Sequence, residues 1–265
     1  MLAEWFKHQL IPAPRHLKDM GYVKELIAIG ARHRRCQDAW ADHLGLCKKV
    51  ILDAAKGIKP DKVTILGSGL LLDIPIDALS KTFGEVVLVD IFHMPEIKKC
   101  VKPMKNVRLE AIDVTGVVEA TFEHALEGAL PPAKADAGWL ADSDLVVSAN
   151  ILSQLPLLPM DWVKDKGYGE EKTEAFARRI IDHHLELLGA LPGRVCLLTE
   201  FERQIADGDE VLQEIDPLFG ARIPASGLKW IWNIAPRPEI TRHIDLRFRM
   251  TGIPDLRAVT GKGKN

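Results

Sequence analysis

Lys62-Val63-Thr64-Ile65-Leu66-Gly67-Ser68-Gly69 is the stretch on which the fold turns. A short, β-branched apolar run opens directly into two glycines. Such a run predicts a buried strand followed by a turn that brings the backbone close to a ligand. Working outward, residues 73–83 predict a helix, with Pro75 tolerated in its first turn and Gly84 closing it. Further apolar runs follow at residues 85–89, 107–112, 144–149 and 194–199, the first ending at Asp90 and the second at Asp113. A long helix is predicted at 170–191, ended by Pro192-Gly193. Continuous apolar runs alternating with helices indicate strands covered on both faces, as in a parallel α/β sheet.

The flanks differ. Residues 22–56 carry a rough amphipathic stripe and predict a long helix, closed by Gly57 and Pro60. Residues 209–215 read as a helix, and 228–234 hold Trp230 and Trp232 on one face of a strand. Residues 240–250 alternate apolar and polar, the pattern of an antiparallel or edge strand with one dry face. The expected organisation is a helical N-terminal extension over 1–60, an α/β domain over 61–257 and a flexible tail over 258–265.

The composition bounds the function. The chain has 265 residues, 47% hydrophobic and 27% charged, with 35 Lys+Arg against 37 Asp+Glu and a net charge of −2. That balance speaks against a strongly basic nucleic-acid binder and favours a small-molecule partner. Cys36, Cys47, Cys100 and Cys196 form no C-x-x-C pair and no disulfide framework, so they read as thiols in a reducing compartment. No signal-peptide pattern opens the sequence and no apolar run approaches a membrane span, so the expected location is the cytoplasm, as a monomer or homodimer.

In open parallel sheets, ligands bind outside the carboxyl ends of the strands. Four such ends carry polar residues or glycines here: Gly67-Ser68-Gly69, Asp90, Asp113 and the segment from Ser148 to Gln154. Asp90 is placed to accept two hydrogen bonds from a ribose diol, and Asp113 to meet a base or to cap the turn at Thr115-Gly116. Leu72 stands where the dinucleotide fingerprint wants its third glycine or alanine, which lowers an NAD reading. His183 and His184 adjoin each other on a helix, point about 100° apart and read as structural. The run Arg32-His33-Arg34-Arg35 reads as a solvated helix face.

With those residues in view, the sequence resembles the class I S-adenosylmethionine-dependent methyltransferases over about residues 60–250. The resemblance lies in the order of Ile65-Leu-Gly-Ser-Gly69, Val87-Leu-Val-Asp90, Leu109-Glu-Ala-Ile-Asp113, the segment from Asp144 to Pro156, and that from Pro192 to Glu200. It implies a Rossmann-like, mostly parallel seven-stranded sheet with an antiparallel last strand and helices on both faces. It also implies S-adenosylmethionine as cofactor, held by Gly67, Ser68, Gly69, Asp90, Ile91, Asp113, Val114, Ala149, Asn150 and Gln154, and no metal. The family usually carries an acidic residue where this chain has Ile65, and Asp73 could supply that carboxylate from the following helix. Methyl transfer needs a base only if the nucleophile must lose a proton during attack. The candidates are Glu200, His93 and His33, with His43 beside them. Two alternatives remain: aminocarboxypropyl transfer from the same cofactor, and a non-catalytic module that keeps the fold.

Overall fold

The computed structural model describes residues 8–124, 128, 130–134 and 137–260. The N-terminal part holds α1 (Arg15–Asp19), α2 (Tyr22–Arg35) and α3 (Gln37–Ala54). An alternating series follows: β1 (Lys62–Leu66), α4 (Ile76–Thr82), β2 (Glu85–Asp90), α5 (Pro95–Val101), β3 (Val107–Ala111), α6 (Val118–His124), β4 (Leu145–Ala149), α7 (Leu157–Asp165), α8 (Glu170–Ala190) and β5 (Arg194–Asp207). The chain closes with β6 (Glu210–Ile215), β7 (Leu228–Ala235), β8 (Asp245–Ile253) and α9 (Leu256–Thr260).

Seven strands lie along one path in the order β3-β2-β1-β4-β5-β8-β7, and β6 pairs with β5 off that path. Strands β1 to β5 pair in parallel, while β8 runs antiparallel between β5 and β7. This is the Rossmann-like α/β arrangement that the resemblance implied. Alternate residues of each strand face opposite layers. Val63, Ile65, Leu145, Val147, Cys196 and Leu198 face α3 through Cys47, Val50, Ile51 and Ala54. Leu66, Val146, Val195 and Leu197 face α8 through Ile181, Leu187 and Leu188. The N-terminal helices therefore share the sheet's core, with α3 covering one face directly.

Three expectations need correction. Of residues 209–215, Glu210–Ile215 form strand β6, joined to β5 through a two-residue turn at Gly208-Asp209 in which Gly208 has φ +62°. The Gly208-Asp209 pair is a hairpin signal, and the six β6 residues are all exposed, so no buried face imposed a period. The single helix expected over 22–56 is two, because the chain bends at Cys36, whose φ of −116° is not helical. The helix expected over 73–83 starts at Ile76, with Pro75 just outside it as the N-cap. The tail beyond residue 260 lies outside the described residues.

On the α8 face, Ser148 Oγ lies 3.0 Å from His184 Nε2, and the ring is 1% exposed. Burial, with help from His183, lowers the His184 pKa to about 4. In the unfolded chain the ring titrates near its ordinary value of about 6.5, so unfolding takes up a proton as the pH falls below that. The stability is therefore fully present above that pH, is lost progressively down to the native pKa and falls no further beneath it. About 3 kcal/mol is at stake. In urea titrations at pH 7 and pH 4.5, the loss of stability on acidification should be about 2–3 kcal/mol smaller in His184→Gln than in the parent chain. Buried carboxylates titrate with the opposite sign in this window, so the difference between the two chains is the quantity to read. Equal losses would show that the ring is not held neutral.

Candidate functional site at the strand ends

The glycine loop crosses from β1 towards α4. Gly67 and Gly69 have φ of +80° and +50°, conformations that a side chain strains. The backbone N–H groups of Gly67 and Ser68 both donate to the Val89 carbonyl, at 2.9 and 3.1 Å, locking the loop to β2. A Cβ at Gly67 would collide with Ile151 Cγ2. The first glycine is thus demanded by the residue that follows Asn150, before any ligand is considered. Ser68 is 1% exposed and its Oγ has no hydrogen-bond partner.

Asp90 closes β2 and accepts the Gly69 N–H on Oδ2 at 2.7 Å. Burial raises its pKa, opposed by that hydrogen bond and by nearby His93. One carboxylate thereby joins the end of β2 to the glycine loop. Ile91 beside it is partly buried against α2. Asp113, at the end of β3, follows its capping alternative. Oδ1 accepts from Thr115 N at 2.9 Å and Thr115 Oγ1 at 2.5 Å, and Oδ2 accepts from Val118 N at 2.9 Å, at the start of α6. A cavity of about 200 Å³ opens beside it, lined by Leu66, Val114, Trp139, Leu140 and Leu187 with Lys134, a largely apolar slot against a strand-end carboxylate.

Ala149, the last residue of β4, is 3% exposed, and Asn150 after it adopts a left-handed φ of +56°. The Asn150 side chain turns to the glycine-loop side, where Nδ2 donates to Asp73 Oδ2 at 2.6 Å and approaches Cys47 Sγ at 3.5 Å. Asp73 is thus brought to the mouth of β1 and β4. Burial raises its pKa, against the lowering effect of the Asn150 amide. Gln154 is exposed and donates Nε2–H to the Asn150 carbonyl at 2.9 Å, which makes it a loop brace.

The three base candidates, His93, Glu200 and His33, each have separate partners among the described residues. His93 is 3% exposed, with Nε2 at 2.9 Å from the Glu110 carbonyl and Nδ1 unpartnered. Glu200 is 3% exposed, and its Oε1 accepts from Ser153 Oγ at 2.7 Å and from Arg203 Nη2 at 2.6 Å. Its Oε2 is unpartnered. His33 packs against Trp40 with ring centroids 5.5 Å apart, and burial lowers its pKa. The neighbouring arginines Arg32 and Arg35 both pair with Glu239, which ties α2 to the segment before β8.

Two features escaped the sequence. Tyr22, at the start of α2, sits close enough to Asp90 and Asp113 for both carboxylates, after burial, to raise its phenol pKa. Nothing local to Tyr22 links it to strands far along the chain. The second is a cluster of His43, Cys47 and Asp73, whose ligating atoms all lie within 4.8 Å of one another. The His43 and Cys47 positions, four apart on α3, show only that the two share a helix face. Their meeting with Asp73 is tertiary.

No protein-family model matches the chain, and no curated protein does. Among solved structures it is similar to the N-methyltransferase NodS from Bradyrhizobium japonicum WM9, at 12% identity over 82% of this chain and 98% of that one, with a TM-score of 0.39. It is also similar to the 1,6-didemethyltoxoflavin-N1-methyltransferase of Burkholderia thailandensis, at 15% identity over 91% of each chain and a TM-score of 0.38. An rRNA methylase from Streptococcus thermophilus matches at 10% identity over 75% of this chain and 91% of that one, with a TM-score of 0.29. Likeness at this level leaves the fold to be read from the strand order and the chemistry from the residues themselves.

Proposed function

We propose that the chain is an S-adenosylmethionine-dependent methyltransferase acting on a small molecule. The observation that carries this reading is the Asp90–Gly69 link. A strand-end carboxylate and a glycine loop meet at the carboxyl ends of β1 and β2, beside the cleft between β1 and β4 where the strand order reverses. That switch point is where open α/β sheets take their ligands. Asp90 would hold the ribose diol, with Ile91 beside it. The loop of Gly67, Ser68 and Gly69 would pass under the ligand, leaving the orphaned Ser68 hydroxyl for it. The apolar slot beside Asp113 and Val114 would take the base. Ala149, Asn150 and Gln154 would form the floor on the β4 side. The cofactor supplies an already activated methyl group, so the protein's task is alignment and exclusion of water. The N-terminal helices, which bring Tyr22 and His43 to this edge, would form the substrate side together with residues 160–169.

Among the described residues, no helix is long and apolar enough to cross a membrane. The near-neutral charge supports a small-molecule substrate over nucleic acid. Aminocarboxypropyl transfer would use the same pocket and is told apart by release of methylthioadenosine in place of S-adenosylhomocysteine. A thermal-shift comparison tests the nucleotide preference. At a hundredfold excess over the dissociation constant, a ligand that binds only the folded chain stabilises it by about 2.7 kcal/mol, or roughly 5–10 °C for a chain of this size. S-adenosylmethionine and S-adenosylhomocysteine should each raise the melting temperature by that order, and NAD should not. A shift with NAD alone would overturn the reading.

A further inference from the structure

The cluster of His43, Cys47 and Asp73 has the make-up of a metal site. His43 and Cys47 stand four apart on α3, so both face the same side of the helix. Cys47 Sγ lies 3.6 Å from His43 Nε2. A thiolate and an imidazole on one tetrahedral zinc, at about 2.3 and 2.0 Å from it, stand roughly 3.5 Å apart. Asp73 brings a carboxylate to the same point, with the ligating atoms of all three within 4.8 Å of one another. One neutral imidazole, one thiolate and one carboxylate together balance the charge of a divalent cation.

Asn150 braces two of the three. Its Nδ2 donates to Asp73 Oδ2 at 2.6 Å and to Cys47 Sγ at 3.5 Å, so one amide holds both acids by their acceptor atoms. Ligating groups are ordinarily oriented by such outer partners. The electrostatics agree. Burial pushes the Cys47 thiol up and the Asp73 charge adds to that, while burial raises Asp73 as well. Two acids that discourage each other's ionised form thus lie side by side, and a divalent cation reverses both effects. Burial keeps His43 neutral, its pKa lowered to about 3, which is the form that ligates. One contact opposes ligation. Trp230 Nε1–H donates to His43 Nδ1 at 3.1 Å, which leaves the ring proton on Nε2. A cation on Nε2 sends that proton to Nδ1 and breaks the Trp230 hydrogen bond.

We propose that His43 Nε2, Cys47 Sγ and the Asp73 carboxylate hold a divalent cation of the zinc class, leaving one position for a further ligand. The thiolate and the imidazole select zinc-like ions over magnesium or calcium. Three protein ligands and one open position are the pattern of a zinc site that acts on what binds there. The family resemblance implies no metal, so the cluster departs from it. The cation site stands independently of the cofactor, and only the use of its open position rests on the methyltransferase reading. A thiol or hydroxyl bound there gives its proton to solvent, as zinc-bound water does far below its ordinary pKa. Its lone pair then forms the bond to the methyl carbon as the sulfonium C–S bond breaks, and S-adenosylhomocysteine leaves. The cation keeps its charge throughout.

Cobalt(II) and zinc are the probes, titrated into the metal-stripped full chain under a phosphine reductant. Cobalt should bind one ion per chain, with a thiolate-to-cobalt charge-transfer band and the intense visible bands of four-coordination, and zinc should displace it. Cys47→Ser should abolish the charge-transfer band, while Cys100→Ser, at an exposed cysteine, should keep it. Asp73→Ala should weaken zinc binding by about a hundredfold or more, and Asn150→Ala by about ten- to a hundredfold. Trp230→Phe should tighten it about fivefold, because the competing donor is gone, whereas a general loss of structure only weakens binding. A small thiol, 2-mercaptoethanol, should add a second charge-transfer contribution at the open position. The absence of stoichiometric cobalt, or a band that survives Cys47→Ser, would overturn the site. A Trp230→Phe chain that binds zinc no tighter would overturn His43 as a ligand, and a spectrum unmoved by the thiol would overturn the open position. A chain that binds cobalt as expected but takes up no S-adenosylhomocysteine would leave the cation site standing and overturn the cofactor reading alone.

Discussion

Asp90→Ala is expected to weaken S-adenosylhomocysteine binding by a factor on the order of 10² to 10⁴, from two charge-assisted hydrogen bonds at ~1.5–3 kcal/mol each. The carboxylate stands at the last residue of β2, in register with Ala111 of β3. Among the described residues it is the only side chain hydrogen-bonded to the glycine loop, through the Gly69 N–H. A ribose diol would share the same carboxylate. Removing it takes away the diol's acceptor and also frees Gly69, so loop and ligand suffer together. Asp90→Asn separates the two roles. Its amide oxygen can still accept from Gly69, so folding stability should stay near the parent value while affinity falls by roughly tenfold, the loss of charge on one acceptor. Parallel calorimetry and urea titrations would read both quantities. An Asp90→Ala chain that binds like the parent would place the ribose elsewhere.

Gly67→Ala is expected to cost stability, by about 3–4 kcal/mol. Two effects add. A non-glycine residue at φ +80° costs ~1–2 kcal/mol, and forcing a methyl into a filled site costs ~1–3 kcal/mol. The obstacle is named: Ile151 Cγ2 occupies the position the new Cβ would need, with the Ala149 carbonyl 3.1 Å away on another side. A double-mutant cycle with Ile151→Ala isolates the steric part. The pair should show a favourable coupling of about 1–2 kcal/mol, since the clash vanishes while the backbone strain stays. Urea midpoints for the four chains give the cycle. A Gly67→Ala cost below ~1 kcal/mol would mean that the loop relaxes freely and that its glycine is there for the ligand alone.

These two residues show what was legible in the sequence. The parallel strands were, because a strand buried on both faces must be a continuous apolar run. The boundaries of β1 and of β4's end at Ala149 fall where the run meets glycine or Asn150. The strand-end positions of Asp90 and Asp113 followed, because a carboxylate ends an apolar run. What Asp113 does there was not decided, since capping through Thr115 and Val118 and contact with a base use the same oxygens. The β6 strand is not legible because six exposed residues carry no burial period, and only the Gly208-Asp209 turn signals it. The Asp73–Asn150 contact and the approach of His43, Cys47 and Trp230 join residues from four distant stretches. Nothing local links such residues, and a single sequence shows only that each has the chemistry to take part.

The claim on which the rest depends is that this strand-end site binds S-adenosylmethionine. The most direct test is calorimetric titration of the purified full chain with S-adenosylhomocysteine, the product, which avoids turnover. The account predicts one molecule bound per chain with a dissociation constant in the micromolar range, about −8 kcal/mol. A folded chain that takes up no S-adenosylhomocysteine, and no S-adenosylmethionine in a matching titration, would contradict it and favour the fold as a non-catalytic module.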